Sequence, residues 1–279
     1  EKRELIEHQV KWQLYNWKES VRPTVIGKQD EFGNWLLPAE NDLPLQTIVE
    51  AISTRLHKIT GDSDLLNNLE WFRKRNEKQS NLEAPIIRKP FFCSGCPHNS
   101  SLKVPEGKRA LGGIGCHYMA VDSIESTEFF TQMGGEGTPW IGIAPFSHEK
   151  HVFANLGDGT YKHSGILAIR ASLDANVNIT YKILYNDAVA MTGGQEIGSN
   201  WDVEGIVKQV LAEGVKKVSI LSEDPKRYNH LVNNEVKSLH RDAIITEQEE
   251  LSQYEGVSVL IFDQTCAAEK RRRRKRGLM

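Results

Sequence analysis

The chain has 279 residues, 39% of them apolar and 26% charged, with a formal net charge of −2. That balance describes a soluble globular polypeptide, long enough for one large domain and a smaller one. It excludes a general attraction to nucleic acid or an anionic membrane, and no apolar run approaches the ~20 residues of a membrane span. With no secretory pattern at the start and only four cysteines, the expected location is cytoplasmic. The first residue is not methionine and the sequence stops after a basic run, so a piece of a longer polypeptide is expected.

Residues 1–88 are highly charged. They hold a tryptophan-rich opening ("VKWQLYNW"), a turn at "DEFGNW" and helical periodicity from about Leu45 to Leu56. A further helix, in "GDSDLLNNLEWFRKRNEKQSNLEAP", runs into a polar linker. Nothing in this region carries identifiable chemistry.

From residue 89 the texture changes. Apolar, often β-branched runs ("RALGGIG", "HVFANL", "ITYKILY", "KKVSILS", "VSVLIF") alternate with stretches of helical spacing: "HSGILAIRASLDA", "DVEGIVKQVLAEG" and "PKRYNHLVNNEVKSLH". Such alternation predicts an α/β fold, a mostly parallel sheet with helices on both faces, over residues 89–266. Ligands of such sheets bind at the carboxyl ends of strands. Residues 267–279 include the dense basic run "KRRRRKR" and are expected to be a solvated tail or a linker to another domain.

Two strands exit through polar glycine loops, "NLGDGTYKHSG" and "LYNDAVAMTGG". The first delivers Asp158 to the sheet edge between glycines that let backbone amides approach a ligand. The second delivers Asn186 to the same edge one crossover unit later. Two side-chain oxygens plus a backbone carbonyl, with positions left open for phosphate oxygens, suit the octahedral preference of Mg²⁺.

This pattern resembles the thiamine diphosphate signature, and "MTGGQ" (191–195) narrows the resemblance to the 2-oxoacid:ferredoxin oxidoreductase family, most closely its indolepyruvate branch in the long fused bacterial form. The likeness covers roughly residues 20–279 and is densest over 89–195. It implies a thiamine diphosphate-binding fold, with Asp158, Asn186 and the Ala188 carbonyl as Mg²⁺ ligands. Gly157, Gly159, Thr160 and the loop Val189, Ala190, Met191 and Thr192 would contact the diphosphate. The usual Asn-Asn pair is absent, and the alternative register makes Asp187 the ligand in place of Asn186.

The four cysteines fit the same resemblance: Cys93 and Cys96 in "CSGC", Cys116 in "GIGC" and Cys266 in "DQTC". Four thiolates suit either tetrahedral Zn²⁺ or a [4Fe–4S] cluster, and spacing alone does not separate them; the family implies the cluster. Cys116 and His98 are also expected at the cofactor, His98 in preference to His117. Glu136, in "FFTQMGGEG", is either a cavity residue or part of a turn, and His163 and Arg170 are given no role.

The resemblance implies oxidative decarboxylation of an aryl 2-oxoacid, indolepyruvate, to its acyl-CoA. Electrons pass through the cluster to ferredoxin, coenzyme A is a co-substrate, and a homo-oligomer is expected. The glutamate that activates the cofactor is expected in a pyrimidine-binding domain not recognisable here, so this segment alone is expected to be inactive. A related oxidoreductase for another aryl or branched 2-oxoacid is the nearest alternative. A noncatalytic, zinc-stapled module of the same fold is the more distant one.

Overall fold

A computed structural model of the chain describes residues 4–40, 42–80, 89–124, 126–195 and 202–277 and separates into two units, residues 1–87 and 88–279. The polar linker expected from residue 81 to 88 lies outside the described residues.

In the first unit the tryptophan-rich opening forms the helix Leu5–Leu14. The turn expected at "DEFGNW" is built on Asp30, whose Oδ1 accepts the amides of Phe32 and Asn34 at 2.9 and 2.8 Å. An antiparallel bridge joins Gln29 and Trp35 across it. Helices Leu45–Thr60 and Asp64–Ser80 follow and pack together.

The second unit holds a seven-stranded sheet in the order β2-β1-β3-β4-β7-β5-β6. The strands are β1 (Ala110–Gly112), β2 (Thr127–Phe130), β3 (Val152–Gly157), β4 (Ile179–Tyr185), β5 (Val218–Ser222), β6 (Val236–His240) and β7 (Val257–Asp263). Every neighbouring pair is parallel. The central strands are nearly continuous apolar runs because both of their faces are covered. On one face Ala154, Leu156, Tyr181, Ile183, Val259 and Ile261 pack with Ile169, Ile206, Val207 and Val210. Those partners come from helices Ile166–Asp174 and Val203–Ala212. On the other face Leu184, Leu221, Leu260 and Phe262 meet Leu102, Ala120, Ile244 and Leu251. The architecture is therefore the parallel α/β sheet with helices on both faces that the sequence pattern implies.

Three segments differ from expectation. The stretch 225–240, predicted helical, is a 3₁₀ segment Pro225–Leu231 followed by β6. Asn233 breaks it, its Oδ1 accepting the amides of Glu235 and Val236 at 2.7 and 3.0 Å. β2 was not anticipated as a strand; its last residues, Phe129 and Phe130, open the segment read as a glycine-rich loop. The basic segment, expected as a tail or linker, contains the helix Ala267–Lys275.

The chain turns from β1 outward to β2, but from β3 in the opposite direction to β4. The carboxyl ends of β1 and β3 are therefore a topological switch point, where open α/β sheets form their binding crevice.

Candidate functional site

The loops leaving β1, β3 and β4 enclose a cavity of about 180 Å³ at that switch point. Its walls are Ile114–His117 after β1, Gly157–Thr160 at the end of β3, and Asn186 with Ala188–Thr192 after β4; His98 and Met133 complete it. Every residue expected at the cofactor thus lines one cavity. Ile114, Gly115 and Met133 line it as well, and so does His117, which the sequence reading ranked behind His98.

Asp158 is the centre of the arrangement. It stands where β3 passes into a helix, and its buried carboxylate ties two strand ends together. Oδ2 accepts the amides of Asn186 and Asp187 at 2.8 and 3.1 Å, and Oδ1 accepts the amide of Gly159 at 2.8 Å. Burial pushes its pKa up to about 6; the three amide donors oppose the rise, while the charge of Asp187 adds to it. A carboxylate offers about four lone-pair positions, so Oδ1 keeps one acceptor position free. The Asn186 Oδ1 is buried and has no hydrogen-bond partner. A desolvated carboxylate beside an orphaned amide oxygen fits an oxygen-ligated cation.

Asp187 is placed differently. Its backbone is left-handed, with φ of 59°. Its half-exposed carboxylate meets Arg273 Nη1 at 2.8 Å, and it is not part of the cavity wall.

The helical segment beginning at Asp158 runs through a π-turn, Tyr161–Gly165, into Ile166–Asp174. The amides of its first turn are the kind of donors that bind phosphate. Across the cavity, the loop after β4 folds on itself. Val189 and Gly194 exchange hydrogen bonds with Gln195 and Val189 carbonyls at 2.9 and 3.0 Å. Gln195 also reaches Thr192 twice, at 2.7 and 2.8 Å. Gly193 and Gly194 turn the chain with φ of 121° and 80°, values that favour glycine, which explains the Thr-Gly-Gly-Gln sequence locally.

His117 fills the back of the cavity. A methyl group on Gly113, Gly115 or Gly157 would approach its ring to 2.7, 2.7 and 3.1 Å, so three glycines from two loops make room for one imidazole. Burial and the neighbouring His98 lower its pKa to about 3, keeping it neutral, and Nε2 is buried without a partner. The His98 ring lies edge-on to it at 5.7 Å, its own pKa lowered by burial to about 4.

The four cysteines are all free thiols; Cys93 is exposed and Cys96, Cys116 and Cys266 are half-buried. The Cys96 amide donates to the Cys93 carbonyl at 2.9 Å, forming the tight Cys-x-x-Cys turn. Burial pushes the Cys96 thiol up to about 11, and the charges of Cys93, Cys266 and Cys116 add to the rise. Cys116 is raised too, by burial and then by Cys266 and Cys93. All four therefore share one electrostatic neighbourhood. Among the described residues, no three His, Cys, Asp or Glu side chains stand close enough to hold a metal ion as placed.

Glu136 is fully buried, outside the cavity wall. Its Oε2 accepts the Gly134 amide at 2.7 Å, Oε1 has no partner, and burial raises its pKa. Arg170 pairs with Glu213 on the surface, and His163 bonds only its neighbour Ser164.

Comparison with known proteins matches residues 1–81 to the indolepyruvate ferredoxin oxidoreductase middle domain. Residues 113–221 match the C-terminal TPP-binding domain of thiamine pyrophosphate enzymes. Indolepyruvate oxidoreductase subunit IorA of Thermococcus kodakarensis is 26% identical over 98% of this chain and 42% of its own length. The IorA subunit of Archaeoglobus fulgidus is 28% identical over 68% of this chain and 30% of its own length. The chain thus spans less than half of the curated relatives it matches. Among solved structures, the 2-oxoglutarate:ferredoxin oxidoreductase of Magnetococcus marinus aligns with a TM-score of 0.47 and 21% identity, covering 64% of this chain and 65% of that one. The cavity at the switch point lies largely within the segment matched to the C-terminal TPP-binding domain of thiamine pyrophosphate enzymes, and along most of its length the chain is similar to indolepyruvate oxidoreductase subunits IorA.

Proposed function

We propose that this domain binds thiamine diphosphate through Mg²⁺ held by Asp158, Asn186 and the Ala188 carbonyl, and serves oxidation of an aryl 2-oxoacid, indolepyruvate, to its acyl-CoA. The observation that carries the reading is the paired oxygens: a buried carboxylate with a free acceptor position next to an amide oxygen with no partner. Asp187, engaged by Arg273, is the less suitable second ligand.

When bound, thiamine diphosphate supplies the nucleophilic carbon and the electron sink for decarboxylation. The chain's own residues supply placement. Gly157, Gly159 and Thr160 at a helix start, with Val189–Thr192 in the opposite wall of the cavity, would hold the diphosphate. Asp158 is already fixed by three amides, so it does not have to be ordered when the cation arrives.

Cys93, Cys96, Cys116 and Cys266 would hold the [4Fe–4S] cluster, which would supply one-electron acceptance for transfer to ferredoxin. With only Cys93 and Cys96 forming a tight pair and Cys116 and Cys266 coming from distant loops, the pattern favours a cluster over one zinc ion. His98 and Cys116 lie where that site meets the cavity. The complete reaction also draws on a pyrimidine-binding domain and coenzyme A, in a homo-oligomeric cytoplasmic enzyme. The division of labour is residues 1–88 upstream, 89–266 for both sites, and 267–279 beyond them.

Calorimetric titration of the full-length protein with thiamine diphosphate, with and without Mg²⁺, tests the reading. Asp158→Ala should lose Mg²⁺-dependent affinity by more than the ~10–100-fold that loss of an outer-shell partner costs. Unchanged affinity would remove Asp158 from the site. Turnover of indolepyruvate, phenylpyruvate and branched 2-oxoacids compared on the same protein identifies the substrate.

A further inference from the structure

The basic run was given no part in the chemistry, yet its helix, Ala267–Lys275, reaches both the Cys-x-x-Cys turn and the loop after β4. Cys266 caps its start, and the Cys266 amide donates to the Asn186 carbonyl at 3.0 Å. One residue pair earlier, the Gln264 amide donates to the Tyr185 carbonyl at 3.1 Å. From its first turns Arg271 reaches the Ser94 carbonyl, within the Cys-x-x-Cys turn, at 3.1 Å. Arg272 donates to the Gly193 carbonyl at 3.0 Å. Arg273 holds Asp187 twice, by the carboxylate at 2.8 Å and by the carbonyl at 3.3 Å.

We propose that Arg272 and Arg273 are positioning residues that clamp the loop after β4, and that their helix couples this loop to the cysteine site. The inference rests on the cofactor reading above and deepens it.

Three features show a built clamp. Glu269, nearly buried, bonds both arginines, at 3.2 and 3.4 Å, and so fixes their direction. A methyl group on Gly194 would stand 2.3 Å from Arg272 Nη1 and 2.6 Å from Glu269 Oε2, so glycine there admits the guanidinium. Asp187 occupies a left-handed conformation that costs a non-glycine residue energy and persists only when surroundings hold it. Arg273 supplies that restraint together with the Asp158 carboxylate, which accepts the Asp187 amide.

The coupling follows from connectivity. One rigid helix carries the fourth cysteine at its start, contacts the first cysteine turn through Arg271 and holds the loop after β4 through the next two arginines. Filling the cysteine site fixes Cys266, and with it the helix and the loop. Linkage makes the effect reciprocal: the cofactor should tighten equilibrium binding of the cluster by the same factor.

The test uses the full-length protein, titrated with thiamine diphosphate and Mg²⁺ in cluster-loaded and cluster-stripped forms. Wild type should bind roughly 5–10-fold more tightly when loaded, within the usual range of coupling. The double variant Arg272→Ala/Arg273→Ala should lose that difference, and Arg273→Lys should recover part of it. Amide exchange reports independently of loading: Val189 and Gly194, hydrogen-bonded within the loop, should exchange faster in the double variant than in wild type. An undiminished loaded-to-stripped ratio together with unchanged exchange would overturn the clamp. Absence of binding by wild type in both forms would overturn the cofactor reading itself, and the clamp with it.

Discussion

His117 shows how a single side chain can be framed by backbone. Gly113, Gly115 and Gly157 leave a slot that fits its ring, and burial keeps it uncharged with Nε2 unpartnered in the cavity wall. An unsatisfied buried nitrogen carries a desolvation cost that a hydrogen bond to bound ligand would remove. His117→Phe keeps the ring volume in the slot and deletes the nitrogens. It should leave the thermal midpoint nearly unchanged while weakening thiamine diphosphate binding roughly 2–10-fold, the worth of one hydrogen bond. Equal affinity would make His117 a filler of the glycine slot. Sequence order favoured His98, because both histidines follow cysteines and the ring-sized slot depends on a fold that brings Gly157 against Gly113 and Gly115. The sequence favoured Asn186 over Asp187 by its distance to Thr-Gly-Gly-Gln, while the contact of Asp187 with Arg273, 86 positions away, was legible only in the fold.

At the scale of elements, legibility followed burial. β1, β3, β4, β5 and β7, the interior strands, were readable as apolar runs because both faces are covered. The two that were not, β2 and β6, are the edges of the sheet. β6 is only partly buried along most of its length, so its apolar residues are sparse enough to match helical spacing. The helix Ala267–Lys275 was unreadable for a different reason: its arginines are used against backbone carbonyls, which leave no trace in side-chain patterning.

β4 also contains an element-scale anomaly, Lys182, wholly buried between Asn155 of β3 and Leu260 of β7. Its ammonium donates to the Lys103 carbonyl at 3.1 Å and lies 5.9 Å from the Phe153 ring centre. Burial lowers its pKa from 10.5 to about 7. A depressed lysine binds fewer protons folded than unfolded, so its cost is full below pH 7, shrinks as pH rises from 7 to 10.5, and vanishes above. Lys182→Met should therefore stabilise the fold on the order of 4 kcal/mol at pH 6 and much less at pH 9.5. The Lys103 carbonyl keeps the Gln248 amide at 3.0 Å, so the substitution does not orphan it. Thermal midpoints at the two pH values check this; equal destabilisation at both would show that Lys182 is held by interactions stronger than its desolvation.

At the scale of the whole molecule, the fold explains why residues so far apart in sequence form one site. A parallel sheet sends every strand's carboxyl end to the same edge, and the reversal between β1 and β3 opens a crevice there. Asp158 and Asn186 meet because β3 and β4 are adjacent and in register, with Gly157 beside Leu184. The cysteines follow the same logic: Cys116 leaves β1 and Cys266 leaves β7, next to β4 in the sheet. The curated relatives extend well beyond the matched segment.

The most direct measurement is an anomalous-scattering map of the full-length protein crystallised with thiamine diphosphate and Mn²⁺ in place of Mg²⁺. A manganese peak bonded to Asp158 and to Asn186 Oδ1, with the diphosphate against Gly157–Thr160, is the predicted result. A cation bound by Asp187, or a diphosphate seated away from the β1, β3 and β4 loops, would contradict it.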